Sequence, residues 1–321
     1  MSRFCLLFLL TPFFTLLCSC VHYQMDNPSY AGPKPLPDEI AQLYSYEKHS
    51  IKYIEKIVEE SPRYTLKRVE FIAPVKVAAI KKTKIEIDYY DVKEPKIAPV
   101  ILVLPILDGN SAISNFYAKY FANNGYAVLI VNRNATILQA ESIKGIELAL
   151  RQNVIDLKRV LDWVETKNDL DKNNIGVFGI SLGAINSALI AALDKRIKAA
   201  VLGLAGGDLP YILTHSHEKT VQEGIARIKE KNHWNDDVFY CELRCAIQTD
   251  PIKYAKYIDA RKVLVVVALL DNVIHTKKGK ALIAAIGMPE RIYIVSGHYT
   301  AIFYIFYTRS KTLQFFNERL R

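Results

Sequence analysis

Cysteine is scarce in this chain: five among 321 residues, and Cys5, Cys18 and Cys20 fall within the first twenty. Only Cys241 and Cys245 remain for the body, too few for a disulfide-built scaffold. No histidine stands at metal spacing beside that C-x₃-C pair, so it makes a poor zinc site. On a helix, residues four apart sit near the upper limit of disulfide reach, which leaves a local disulfide and two free thiols both open. Long basic runs are missing too. The formal charge is +9 with a pI near 9.1, but the Lys and Arg are dispersed, which excludes a nucleic-acid arm. The excess reads as solvated surface, or as weak attraction toward anionic lipid or substrate. There is no internal repeat and no low-complexity tract. Half the residues are apolar and 23% are charged, an ordinary globular balance. A chain of this length can bury one large α/β core that carries an insertion.

The N-terminus has a single basic residue, Arg3, before an apolar run over 4–17 broken only by Thr11, Pro12 and Thr15. That run is short for a bilayer span and reads as a secretory signal over 1–19. Its end, Leu17-Cys18-Ser19-Cys20, resembles a bacterial lipobox, with Cys20 as the acceptor. The expectation is an exported protein tethered by lipid at Cys20, its body in water. Val21 stands where an inner-membrane retention signal would have Asp, so the outer membrane, facing the periplasm, is the expected address. Residues 20–37, with Pro28, Pro33, Pro35 and Pro37, read as an extended tether.

Residues 38–60 carry apolar side chains at helical spacing and predict a surface helix. From residue 64 the pattern turns to strands alternating with helices. Runs over 64–75 and 84–90 predict a hairpin, and the apolar run 100–107 a central strand buried on both faces. Further strands are expected at 126–132, 175–179, 199–204, 262–270 and 291–295. Helices are expected at 111–123, 141–167, 182–193, 277–286 and from about 300. The alternation means βαβ units and a mostly parallel central sheet flanked by helices. Residues 208–258 break the rhythm and read as a helical cap insertion within a domain spanning 38–321. Ligands of open α/β sheets sit at the carboxyl ends of strands, where the loops 105–110, 179–183, 205–210, 271–276 and 296–300 collect.

The sharpest motif is Gly179-Ile180-Ser181-Leu182-Gly183. An apolar strand leads in and a small-residue helix leads out, the context in which a G-x-S-x-G turn exposes a nucleophile. Ser181 would sit at a helix N-terminus, where developing negative charge is favoured. Serine needs a base, and the base an orienting acid. Of seven histidines, His298, just past the last strand, has the expected address. Asp271, at the end of the 262–270 strand, is the expected acid, with Asp208 after Gly206-Gly207 as competitor. An oxyanion needs two N–H donors, and the backbones of Leu182 and Leu107 are the candidates.

Segments 100–133, 173–207 and 262–300, with Ser181, Asp271 and His298 at triad positions, resemble the α/β-hydrolase superfamily. Within it they look like dienelactone-hydrolase-type and acyl-esterase-type members. The resemblance implies the α/β-hydrolase fold and a serine hydrolase acting on a small ester or acyl substrate, with no cofactor and no metal. Two departures stand out: Pro105-Ile106 replaces the usual His-Gly pair, and His275 replaces a proline after the acid loop. Dienelactone hydrolases proper use cysteine, so their reaction is not implied. The rival readings are a peptidase or thioesterase of the same fold, and a membrane-anchored lipoprotein that kept the fold to bind a partner.

Overall fold

The computed structural model describes residues 20–77, 84–107, 109, 112–132, 137 and 140–321. The expected signal segment and the start of the lipobox lie outside them. Ten strands of the described chain form one sheet in the order β1-β10-β9-β8-β7-β5-β6-β4-β3-β2. They are β1 (Cys20–Tyr23), β2 (Tyr53–Glu60), β3 (Tyr64–Ile72), β4 (Lys84–Val92), β5 (Ala98–Leu104), β6 (Ala127–Asn132), β7 (Leu170–Ile180), β8 (Ile197–Gly203), β9 (Val263–Ala268) and β10 (Glu290–Ile294). From β6 through β10 neighbours run parallel, while β1, β2, β3 and β4 pair antiparallel. The parallel strands read as continuous apolar runs because helices cover both their faces. The chain leaves β5 to one side for β6 and returns on the other for β7, which opens a crevice at the carboxyl ends of β5 and β7.

Helices α1 (Asp38–Leu43), α2 (Ala112–Asn123), α3 (Ile143–Thr166), α4 (Leu182–Leu193), α9 (Thr276–Ile286) and α10 (Ile305–Leu320) accompany the strands. Between β8 and β9 come α5 (Leu209–His215), α6 (Lys219–Asn232), α7 (Asp236–Ala246) and α8 (Pro251–Tyr254). Strand alternation sorts the layers. The Tyr89 ring meets Trp163 of α3 at 5.5 Å, while the adjacent Tyr90 donates its hydroxyl to Asn115 of α2 at 2.7 Å. Helices α2 and α10 share that second face through Phe121 and Phe316, 5.7 Å apart. Apolar side chains from both faces merge into one core extending from Tyr44 to Leu320, with Cys20, Met25 and Tyr30 packed against it. The described residues from Cys20 to Leu320 therefore share one core.

Two expectations need correction. Residues 38–60 are not one helix. After α1 the chain extends into β2, whose backbone pairs with β3 across a bulge between Ile57 and Glu59. The β-branched Ile54, Ile57 and Val58 suit a strand, and every residue of β2 is exposed, so the apolar spacing reported no buried face. Residues 20–37 are not a free tether either. The segment closes the sheet as β1, with Cys20 opposite Ile294. Asp26 then grips Arg291 at 2.7 Å, Tyr30 donates to the Ile258 carbonyl at 3.1 Å, and the Lys34 amide reaches the Lys256 carbonyl at 2.8 Å. Its prolines prevent a helix, but extended chain is also what an open sheet edge accepts. Cys241 and Cys245 both lie exposed on α7 as free thiols.

Candidate active site

Strand β7 ends at Ile180 and α4 begins at Leu182, so Ser181 alone makes the turn. Its φ of +56° is left-handed, a conformation that costs a non-glycine residue on the order of 1–3 kcal/mol and persists only where the surroundings enforce it. The Ser181 amide donates to the Gly203 carbonyl at 2.8 Å, and its carbonyl accepts from Ile185 at 3.0 Å. The flanking glycines are steric necessities. A Cβ on Gly179 would lie 2.3 Å from the Gly183 carbonyl, and one on Gly183 would lie 2.1 Å from the Leu104 oxygen. Close approach of these three backbones brings the end of β5 against the start of α4.

The hydroxyl so presented meets the imidazole of His298, with Oγ and Nε2 3.1 Å apart. On the other side of the ring, Nδ1 lies 2.8 Å from Oδ2 of Asp271. The second carboxylate oxygen accepts the amides of Val273 at 2.8 Å and Ile274 at 2.9 Å. The side chains of His298 and Asp271 are only 9% and 4% exposed. Burial pushes the Asp271 carboxyl up, but the His298 hydrogen bond, its charge and the two amides outweigh this and hold the group below its ordinary value. An ionised acid on Nδ1 fixes the tautomer that leaves Nε2 free to take a proton.

Asp208, the competing acid, is elsewhere. It caps α5 through a 3.4 Å bond from the Tyr211 amide and pairs with Lys278. Of the expected oxyanion donors, Leu182 opens α4, where an N–H has no carbonyl one turn back within the helix. Leu107 lies in a tight turn closed by the Gly109 amide on the Ile106 carbonyl at 3.0 Å, and it borders the same pocket as Leu182. Among the described residues no group of three or more His, Cys, Asp or Glu is arranged to hold a metal.

Above Ser181 lies a cavity of about 220 Å³, walled by Ile106, Phe178, Ile212, Val221, Ile274 and Ile305 among other apolar side chains. The insertion roofs it and is stitched in place. Asp250 accepts the amides of Asp208 at 3.0 Å and Leu209 at 2.7 Å, which ties the insertion's end to its beginning. Glu147 of α3 accepts the Thr249 amide at 2.9 Å. Glu218 at the head of α6 lines the pocket and accepts a hydrogen bond from the Tyr299 hydroxyl, beside His298. That bond is the main cause holding Glu218 below its ordinary value. Sequence reasoning missed Glu147, Glu218 and Asp250, because lone acids, on a long helix or in a charged insertion, carry no motif.

The fold and this hydrogen-bonded Ser-His-Asp chain define a serine hydrolase of the α/β-hydrolase class. Residues 46–256 match the model of a family described as X-Pro dipeptidyl-peptidase (S15 family), and the chain belongs to that family. The expected α/β-hydrolase membership therefore stands, with a peptidase family inside it as the narrower match. Among solved structures, an acetyl xylan esterase from a Paenibacillus species is similar with a TM-score of 0.68 and 19% identity, covering 88% of this chain and 93% of that one. Acetyl xylan esterase 1 from a Thermoanaerobacterium species gives 0.62 and 19%, over 88% and 98%. The acylaminoacyl peptidase of Pyrococcus horikoshii gives 0.56 and 16%, over 80% of this chain and 42% of that one. These likenesses establish the fold. An uncharacterized protein of Mycobacterium tuberculosis is 34% identical over 62 residues, 19% of this chain. The match spans only 14% of that relative's length.

Proposed function

We propose that this serine hydrolase cleaves carboxylic esters or related acyl bonds through an acyl-enzyme on Ser181. His298 takes the hydroxyl proton as the oxygen bonds to the acyl carbon, Asp271 steadies the imidazolium, and the Leu182 and Leu107 amides hold the oxyanion. His298 then protonates the departing alkoxide, and water releases the acid by the reverse relay. The observation that carries this reading is the unbroken Ser181–His298–Asp271 contact at the floor of an apolar cavity. At about 220 Å³, that cavity exceeds the roughly 150 Å³ apolar hole that accepts benzene, which favours an acyl chain longer than acetyl.

The test is labelling with a fluorophosphonate probe, beside turnover of p-nitrophenyl esters of increasing chain length. Labelling should vanish in Ser181→Ala, and kcat should fall by about 10⁴–10⁶-fold with the fold intact. A mutant that kept its rate would overturn the assignment.

The S15 family membership supports a second reading, as a peptidase. A dipeptidyl-peptidase must hold a protonated amino terminus, and Glu218 is a carboxylate on the pocket wall. On that reading X-Pro p-nitroanilides turn over, and Glu218→Gln lowers their rate while sparing butyrate esters.

The proposed address is a bacterial membrane surface, most simply the outer membrane facing the periplasm, with lipid on Cys20 after removal of 1–19. The support is the Leu17-Cys18-Ser19-Cys20 motif behind a short apolar run. Palmitate labelling of the full chain, lost in Cys20→Ala, checks it.

A further inference from the structure

The segment after His298 has two sides. Ala301, Ile302 and Ile305 line the cavity, while Phe303 and Phe306 are 71% and 66% exposed and do not reach it. Tyr299 and Ile302 of this segment are exposed too, as are Leu270 and Val295 just past the neighbouring strands β9 and β10. Hydrogen bonds tie together the segments that carry them. The Leu270 amide donates to the Ser296 carbonyl at 2.9 Å, and the Tyr304 hydroxyl donates to the Val295 carbonyl at 3.2 Å. The Phe306 ring continues onto Phe116 at 5.6 Å. Exposed apolar side chains gathered beside a pocket mouth mark an interaction surface.

Two further observations say what covers it. The first is where the chain comes from. Cys20 pairs with Ile294, the residue before Val295, so β1 starts at the active-site edge of the sheet and beside this rim. Lipid carried on Cys20 is what this position would deliver to that border. Cys20 is itself a residue of β1 and packs against the core. The second is charge. No acidic residue occurs between Glu290 and Glu318. Arg309 lays its guanidinium over Tyr120 at 4.0 Å, Phe116 at 4.6 Å and Phe306 at 5.2 Å. An apolar body with a cationic head at its margin is the arrangement that enters a headgroup layer and meets anionic lipid.

We infer that this face docks on an anionic lipid surface, so that the cavity above Ser181 opens into the lipid layer and receives acyl chains from it. The substrate half of this inference rests on the acyl-hydrolase reading; the docking half does not.

The test uses residues 20–321, which carry every described element of the fold, without lipid on Cys20. Sedimentation with vesicles of phosphatidylethanolamine and phosphatidylglycerol measures docking without turnover. The double variant Phe303→Glu/Phe306→Glu should lose about tenfold or more in vesicle partitioning, and Arg309→Glu should weaken binding only where phosphatidylglycerol is present. p-Nitrophenyl acetate hydrolysis by the double variant should stay within about twofold of the parent, since neither Phe touches the pocket, while turnover of a diacyl ester in vesicles falls with binding. A parent that ignores vesicles, or a double variant that binds them equally, overturns docking. A dimer that the double variant dissociates, with no vesicle binding by the parent, overturns it in favour of self-association. Vesicle binding without hydrolysis of any ester would sink the enzymatic reading and leave docking standing.

Discussion

Asp208 and Asp271 leave neighbouring parallel strands, β8 and β9, at the same edge of the sheet, yet their surroundings differ in every respect that matters. Asp271 is buried, accepts two backbone amides and holds the imidazole of His298. Asp208 is partly solvated, sits in a left-handed turn, caps a helix of the insertion and binds a lysine. The carboxylate type and the strand-end address are shared, so neither assigns the role. What differs is the partner that tertiary structure supplies: an imidazole against Asp271, a lysine against Asp208. The same edge therefore carries one acid bound to an imidazole and one that caps a helix of the roof.

The sharpest way to break this contrast is to neutralise each acid in turn. Asp271→Asn should reduce kcat by about 10³–10⁴-fold while the protein still folds, because an amide at this position favours the wrong imidazole tautomer. Asp208→Asn should leave kcat within about threefold and lower stability by no more than about 1 kcal/mol, because Asn caps a helix about as well as Asp and only the pair with Lys278 is lost. Steady-state kinetics and urea denaturation on the two variants read both effects. Equal rate losses would mean that proximity to His298 does not determine the acid.

A smaller effect sharpens the contrast through pH. The Asp271 carboxyl is held below its ordinary value in the fold. A lowered folded pKa stabilises the protein above the unfolded value of about 3.9, and that contribution disappears as pH falls through the folded value. Urea midpoints of wild type and Asp271→Asn should therefore converge as pH drops below about 4. A gap that widened with acid would reverse the sign of this linkage.

Much of the site was legible before any coordinates. Ser181, Asp271 and His298 could be named because a glycine-flanked serine between an apolar strand and a small-residue helix is locally constrained, and because strand ends are recognisable addresses. The errors fell where pairing decides. Residues 53–60 read as helix from apolar spacing, but the chain bonds to β3 and leaves those side chains in solvent. Residues 20–37 read as tether, since nothing local shows that β10 needs a partner. Glu218 and Asp250 were invisible because their roles lie entirely in what they meet, Tyr299 for one and the amides of residues 208 and 209 for the other.

By itself the sequence determined the elbow, the parallel strands and the short set of residues able to do acyl chemistry, because steric limits and burial patterns act over a few neighbouring positions. Tertiary structure alone decided which acid serves His298, how the sheet edges close and which apolar side chains stay on the rim. His298 lies 117 residues from Ser181 and 27 from Asp271. Contacts at such separations depend on how distant strands stack, a choice made by the packing of the whole core.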